Sequence, residues 1–197
     1  MTANVGRPLE FDPETALEAA MQVFWAKGYE HSSMQDLLGA MDLSKSSLYQ
    51  AFGSKQGLFR RCLTRYADQL SAHLRQGLAA APSGWSFIES FLHSVLQDVE
   101  GEGQPRGCLV MNTASELAQS EPPIAEDVAA SIARFRRALQ AAVERAQREG
   151  DIDPRRDPAT LAAFLVSSMS GLKVQAKAGA DADTLKGIIE VALRALR

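Results

Sequence analysis

The sequence predicts an all-α chain, in which three short N-terminal helices precede a larger set of longer ones, about nine helices in total. Three observations predict it. Ala and Leu are abundant, while Val and Ile are sparse and seldom alternate with polar residues, a balance that favours helix over strand. Apolar residues recur at three- and four-residue spacing along most of the chain. Capping and helix-stopping residues crowd the first 54 positions and thin out after them. With 197 residues, 46% hydrophobic and 23% charged, the chain can bury a core and lies outside disordered composition.

Residues 1–11, with Gly6-Arg7-Pro8 at their centre, read as a flexible arm. Asp12-Pro13-Glu14 opens the first helix with an Asp cap, Pro in the first turn and an acid near the positive helix end. Leu17, Ala20, Met21 and Phe24 form its apolar stripe, and Gly28 stops it. Ser32-Ser33-Met34-Gln35 has the spacing of a capping box and predicts a second helix from Ser32, closed by a turn from Gly39 to Leu43. Ser44 caps a third, ended by Gly53, and Ser54 caps a long fourth to about Leu78. Short helices joined by turns of a few residues make a helix-turn-helix arrangement. The later helices are predicted over 85–99, 108–117, 124–149, 157–178 and 181–196, with the two parts of the chain meeting between residues 54 and 55.

The formal charge of −3 argues against a non-specific polyanion binder, but its distribution is uneven. Residues 1–66 hold seven basic and seven acidic side chains, and residues 67–197 hold fourteen and seventeen. From Leu43 to Ala67 there is no carboxylate, while Lys45, Lys55, Arg60, Arg61 and Arg65 all fall there. One anion-facing surface is the natural reading. The Ser44 helix presents Lys45, Ser46, Ser47, Tyr49 and Gln50, whose donors and acceptors can reach phosphates or base edges. Leu48 and Phe52 anchor it from the other side, and its free N-terminal amides suit a phosphate. Lys55 stands in the first turn of the next helix, where a cation opposes the helix dipole unless an anion joins it.

The segments Ala20 to Gly28 (AMQVFWAKG), Asp36 to Leu38, and above all Ser44 to Phe59 (SKSSLYQAFGSKQGLF) resemble the TetR/AcrR family of bacterial repressors. The likeness covers about the first third; beyond it, only Gly107-Cys108-Leu109 and the Gly171 to Gly179 stretch add to it. Asp42 stands where many members have Gly, and Asp tolerates a left-handed backbone better than most residues. The resemblance implies a two-fold homodimer on double-stranded operator DNA, with the Ser44 helix of each protomer in a major groove. It implies a four-helix interface from the last two helices of each protomer, and a ligand in the larger part that moves the reading heads apart. Residues 1–54 would then be the arm and DNA-binding domain, and 55–197 the ligand-binding and dimerisation domain.

The expected DNA contacts are Arg7, Ser33, Ser44, Lys45, Ser46, Ser47, Tyr49, Gln50 and Lys55, with Arg7 on an arm that can enter a minor groove. Trp85, Phe91, Cys108, Asn112, Glu116 and Phe135 are the candidate ligand contacts, for an effector that is largely apolar or an electrophile. Cys108 near a helix start could be an activated thiol or a small buried hydrophobe. Leu161, Phe164, Leu165, Ser168 and Leu172 make one candidate dimerisation stripe, and Ile189 and Leu193 belong to another. His31, His73 and His93 stand apart without metal-ligand spacing, and neither a nucleophile elbow nor a phosphate loop occurs, so no metal, no cofactor and no enzyme activity is expected. Two cysteines, no signal peptide and no span of about 18 apolar residues give the expectation of a cytoplasmic protein with no membrane partner.

Overall fold

The computed structural model describes residues 11–101 and 103–197, and among these residues it is helical with no strand. The helices are α1 (Pro13–Lys27), α2 (Met34–Met41), α3 (Lys45–Phe52), α4 (Lys55–Ala80), α5 (Gly84–His93), α6 (Leu96–Glu100), α7 (Leu109–Leu117), α8 (Pro122–Glu149), α9 (Pro158–Lys177) and α10 (Ala182–Leu196). Nine of these described helices have eight residues or more, and α6 is a single short turn of five. The chain separates into two compact units, Met1–Thr64 and Arg65–Arg197, and α4 runs through the division. The sequence reading put the boundary ten residues earlier, at the start of α4.

In the first unit, local capping sets every helix start. The Asp12 carboxylate accepts the Glu14 and Thr15 amides ahead of α1. The α2 cap is Ser33 rather than Ser32: its hydroxyl accepts the Asp36 amide, and the Asp36 carboxylate accepts the Ser33 amide in return. Ser32 is buried and donates its hydroxyl to the Gly28 carbonyl instead. Ion pairing with Lys27 at 2.7 Å and the Ser33 hydroxyl lower the Asp36 carboxyl to about 2. The expected turn from Gly39 is also shorter than read. The α2 helix continues through Met41, because Leu37 and Met41 bury one turn apart, and Asp42 alone makes the left-handed exit with φ 52. Phe24, Tyr29 and Phe59 meet ring to ring at 4.8 to 6.2 Å and tie α1 to the start of α4.

The second unit is built around α8, which packs on α5, α7 and α9, while α10 closes against α5, α6 and α9. The predicted helix over 85–99 is two helices. Ser94 and Val95 interrupt it, and the Ser94 amide and hydroxyl both turn back to the Phe91 carbonyl. Pro122 and Pro123 start α8 rather than merely ending the segment before it, since Pro lacks only an amide that the first turn cannot use. Gly84 is needed where α5 meets α8: any Cβ there would collide with the α8 backbone between Ala142 and Ala146. The same corner is clamped by Glu149, which accepts the Gly84 amide at 2.7 Å, and by Arg145, which donates to the Leu78 and Pro82 carbonyls. The Gly84 amide and then Arg145 hold the Glu149 carboxyl below its usual range.

Candidate nucleic-acid interface

The α3 helix is a two-faced rod. Leu48 and Phe52 are buried and fix one side to the first unit. The rest of the surface leaves Lys45, Ser46, Tyr49 and Gln50 exposed, with Tyr49 at 44%. At the N-terminus the Ser44 hydroxyl accepts the Ser47 amide and lies within 2.9 Å of the Ser46 hydroxyl and 2.8 Å of the Ser47 hydroxyl. No acidic residue stands in the first turn to neutralise the positive end of the helix. The arrangement offers hydroxyl donors, uncapped amides and a lysine to an anion, and behind them an aromatic ring and an amide side chain for base edges.

Lys55 is half-buried, and its ammonium lies 4.4 Å from the centre of the Tyr29 ring. Ser33 comes out differently from expectation. Its hydroxyl proton goes to the Asp36 carboxylate at 2.8 Å, so a phosphate oxygen, itself only an acceptor, finds no free donor there. Arg7 lies outside the described residues.

In the second unit the sequence-predicted ligand residues part company. Trp85 and Phe135 are buried, and Phe91 is half-buried and stacked on Phe87 at 6.3 Å. Cys108 is 7% exposed and caps α7 through its backbone, without a side-chain hydrogen bond to the helix. Glu116 faces outward and is exposed, which removes it from any interior site. Asn112 donates its amide to the Arg106 carbonyl at 2.9 Å and so fastens the loop ahead of α7.

Tyr66 and Ser71, which the sequence reading passed over, are buried polar residues of α4. Burial, then the adjacent Cys108 side chain, raises the Tyr66 phenol well above its usual range. The Ser71 hydroxyl and the Trp85 indole N–H are buried without a hydrogen-bond partner. Ser131 and Thr113, equally buried, donate to carbonyls four residues back in their own helices, as Ser71 does not. The signal for both residues was available, since Leu63, Ala67, Leu70 and Leu74 put them in the buried part of α4.

On α9 and α10 the expected dimerisation stripe is partly internal. Leu161, Leu165, Leu172 and Ile189 sit in the protomer's own core. Phe164 is exposed, and Ser168 and Leu193 are half-buried. The outward face carries Phe164, Ser167, Gly171 and Val174 on α9, and Gly187, Ile188, Val191 and Ala195 on α10, without a charge among them. Val174 is 60% and Val191 61% exposed, which is costly for Val in water.

Residues 16–62 match the family model described as bacterial regulatory proteins, tetR family, and residues 84–192 match the tetracyclin repressor-like C-terminal domain. The chain belongs to the TetR family. Among curated TetR-type relatives, the HTH-type transcriptional repressor ComR of Escherichia coli strain K12 is 33% identical over 96% of this chain and 90% of its own length. The repressor BdcR of the same organism is 30% identical over 98% and 92%. Among solved structures, a cysteine variant of the TetR-family regulator CifR, complexed with 26-base-pair double-strand operator DNA, is 36% identical. It has a TM-score of 0.83 and covers 97% of this chain and 100% of its own. The second family model contains α5 to α9 and most of α10, so the TetR assignment extends well past the motif that first suggested it. Among the described residues no helix is long and apolar enough to cross a membrane, and no group of three His, Cys, Asp or Glu side chains is placed to hold a metal ion.

Proposed function

We propose that this TetR-family regulator is a cytoplasmic repressor, not an enzyme, that binds a two-fold operator as a homodimer and leaves it when a small molecule occupies the second unit. The polar outer face of α3 supports this reading most directly, because a short helix that buries Leu48 and Phe52 has little other use for exposed Lys45, Ser46, Tyr49 and Gln50. The DNA contacts proposed are Ser44, Lys45, Ser46, Ser47, Tyr49, Gln50 and Lys55. Repression is favoured because ComR and BdcR are both named repressors. Footprinting on the DNA upstream of the chain's own gene, repeated at several salt concentrations, tests it. A protected, two-fold sequence with salt-sensitive affinity is expected, and uniform weak binding at every sequence rejects it. In the same titration, Lys55→Ala weakens binding to operator and random DNA alike and lowers the salt slope by about one unit, as the loss of one phosphate contact requires.

The dimer contacts proposed are the uncharged faces of α9 and α10 around Phe164, Val174, Ile188 and Val191, in place of the buried Leu161, Leu165, Leu172 and Ile189. The effector contacts proposed are Trp85, Phe91, Phe135, Tyr66 and Ser71, in place of Asn112 and Glu116. Aromatic side chains with two unpaired buried polar atoms fit a modest, largely apolar molecule carrying one or two hydrogen-bonding groups. A hundredfold release from operator requires about 2.7 kcal/mol of coupling between the two sites. An electrophile that modifies Cys108 is the rival effector. Burial beside a neutral phenol disfavours it, because reactive thiols sit in accessible, electropositive surroundings. Cys108→Ser is therefore expected to keep both operator affinity and release. If N-ethylmaleimide freed the native protein from operator DNA and left the variant bound, the thiol would be the sensor.

A further inference from the structure

The exposed end of α3 is held by a device on α4 that neither phosphate contact nor base reading requires. A helix leaves its last carbonyls without intrahelical partners. In α3 the Tyr49 carbonyl accepts the Gly53 amide at 2.9 Å, and the Phe52 carbonyl accepts the Ser54 amide at 2.9 Å. The Ala51 carbonyl accepts a guanidinium N–H of Arg61 at 3.2 Å. The same guanidinium lies over the Phe52 ring, 5.2 Å from its centre. One turn earlier on α4, Gly57 meets the Phe52 carbonyl so closely that a Cβ there would overlap it. Gly57 and Arg61 are four residues apart and therefore share a face of α4, which makes that face a socket for the last turn of α3.

We propose that Arg61 is a positioning residue for sequence discrimination: it sets the angle at which α3 is presented without itself touching DNA. The inference rests on α3 being the reading helix. A planar guanidinium can donate in its plane and stack on a ring at the same time, and a cation at the C-terminal end of α3 also suits that helix's dipole. Base-edge hydrogen bonds demand correct placement to a fraction of an ångström, while non-specific attraction to phosphates tolerates a tilted helix. Loosening the socket should thus cost discrimination before it costs overall attraction.

The test measures the affinity of Arg61→Met and Arg61→Lys for the footprinted operator and for random DNA across a salt series, with Tyr49→Ala alongside. Arg61→Met keeps the aliphatic stem and loses both the donor and the cation. It should bind operator about tenfold more weakly, bind random DNA within about twofold of the native protein, and keep its salt slope. Arg61→Lys keeps the charge but cannot donate and stack together, so its ratio of operator to random affinity should fall between those of the native protein and Arg61→Met. An unchanged ratio in Arg61→Met, or a slope lower by about one unit, overturns the proposal, the latter because it marks a direct phosphate contact. If Tyr49→Ala binds operator normally, the reading-helix assignment itself has failed; if only the Arg61 variants do, the positioning role has failed.

Discussion

Tyr49→Ala is expected to weaken operator binding by about tenfold to a hundredfold and to leave the melting temperature unchanged. The two halves of that expectation come from different sides of one helix. Tyr49 is 44% exposed and points away from the buried Leu48, so its removal opens no cavity in the first unit. A rigid aromatic side chain with a hydroxyl at its tip presents a large contact area to a groove for little ordering cost. Each well-made base contact is worth about 1 to 3 kcal/mol of discrimination, which sets the range. Lys45, 6.0 Å from the same ring, lies one turn away and would remain to hold the backbone, so binding to random DNA should change far less. Fluorescence anisotropy with operator and scrambled duplexes, beside a thermal melt, reads both quantities. A variant that binds operator like the native protein would remove α3 from the recognition surface.

The second large effect is expected at the other end of the chain. The native protein should scatter light as a dimer at micromolar concentration, and the double variant Val174→Glu, Val191→Glu should scatter as a folded monomer. Both side chains are more than half exposed in the protomer, so the substitutions leave its core untouched. In an isologous interface each substitution occurs twice, which buries four carboxylates against an uncharged surface. The desolvation penalty is several kcal/mol per buried ion, enough to raise the dissociation constant by a hundredfold or more. Operator affinity should fall with it, because a monomer engages a single half-site. A native monomer, or a double variant that stays dimeric, would show that this face meets no second copy. Leu161 is unsuitable for such an experiment, since a charge there enters the protomer's own core and unfolds it.

The contrast between Leu161 and Val174 shows where hydrophobic pattern stops being informative. Most of the α9 circumference is apolar or small: Leu161, Leu165 and Leu172 inside, Phe164, Gly171 and Val174 outside. Periodicity locates a core face by opposing it to a polar one, and α9 offers no such contrast. The polar candidates show a related limit of local spacing. Asn112 and Glu116 stand four apart on α7 and look like an internal pair, but one fastens the preceding loop and the other faces outward. Tyr66 and Ser71 carry no local signal of their own, because the burial of a hydroxyl on α4 depends on what packs against that helix.

The sequence by itself determined the form of α3. Ser44 caps α3, Gly53 ends it with φ 76, and Leu48 and Phe52 turn one face inward, leaving Lys45, Ser46, Tyr49 and Gln50 outward. Those features are set within three or four residues along the chain, where side-chain capping and helical spacing act directly. Asp42 in its left-handed turn belongs with them. Only the tertiary structure decided the rest: that Arg61 of α4 reaches the Ala51 carbonyl, that Ser71 and Trp85 keep unpaired polar atoms in a core, and which stripe of α9 stays uncovered. Each of those is a relation between groups separated in sequence or on different helices, and their burial depends on what packs opposite, which no local spacing encodes.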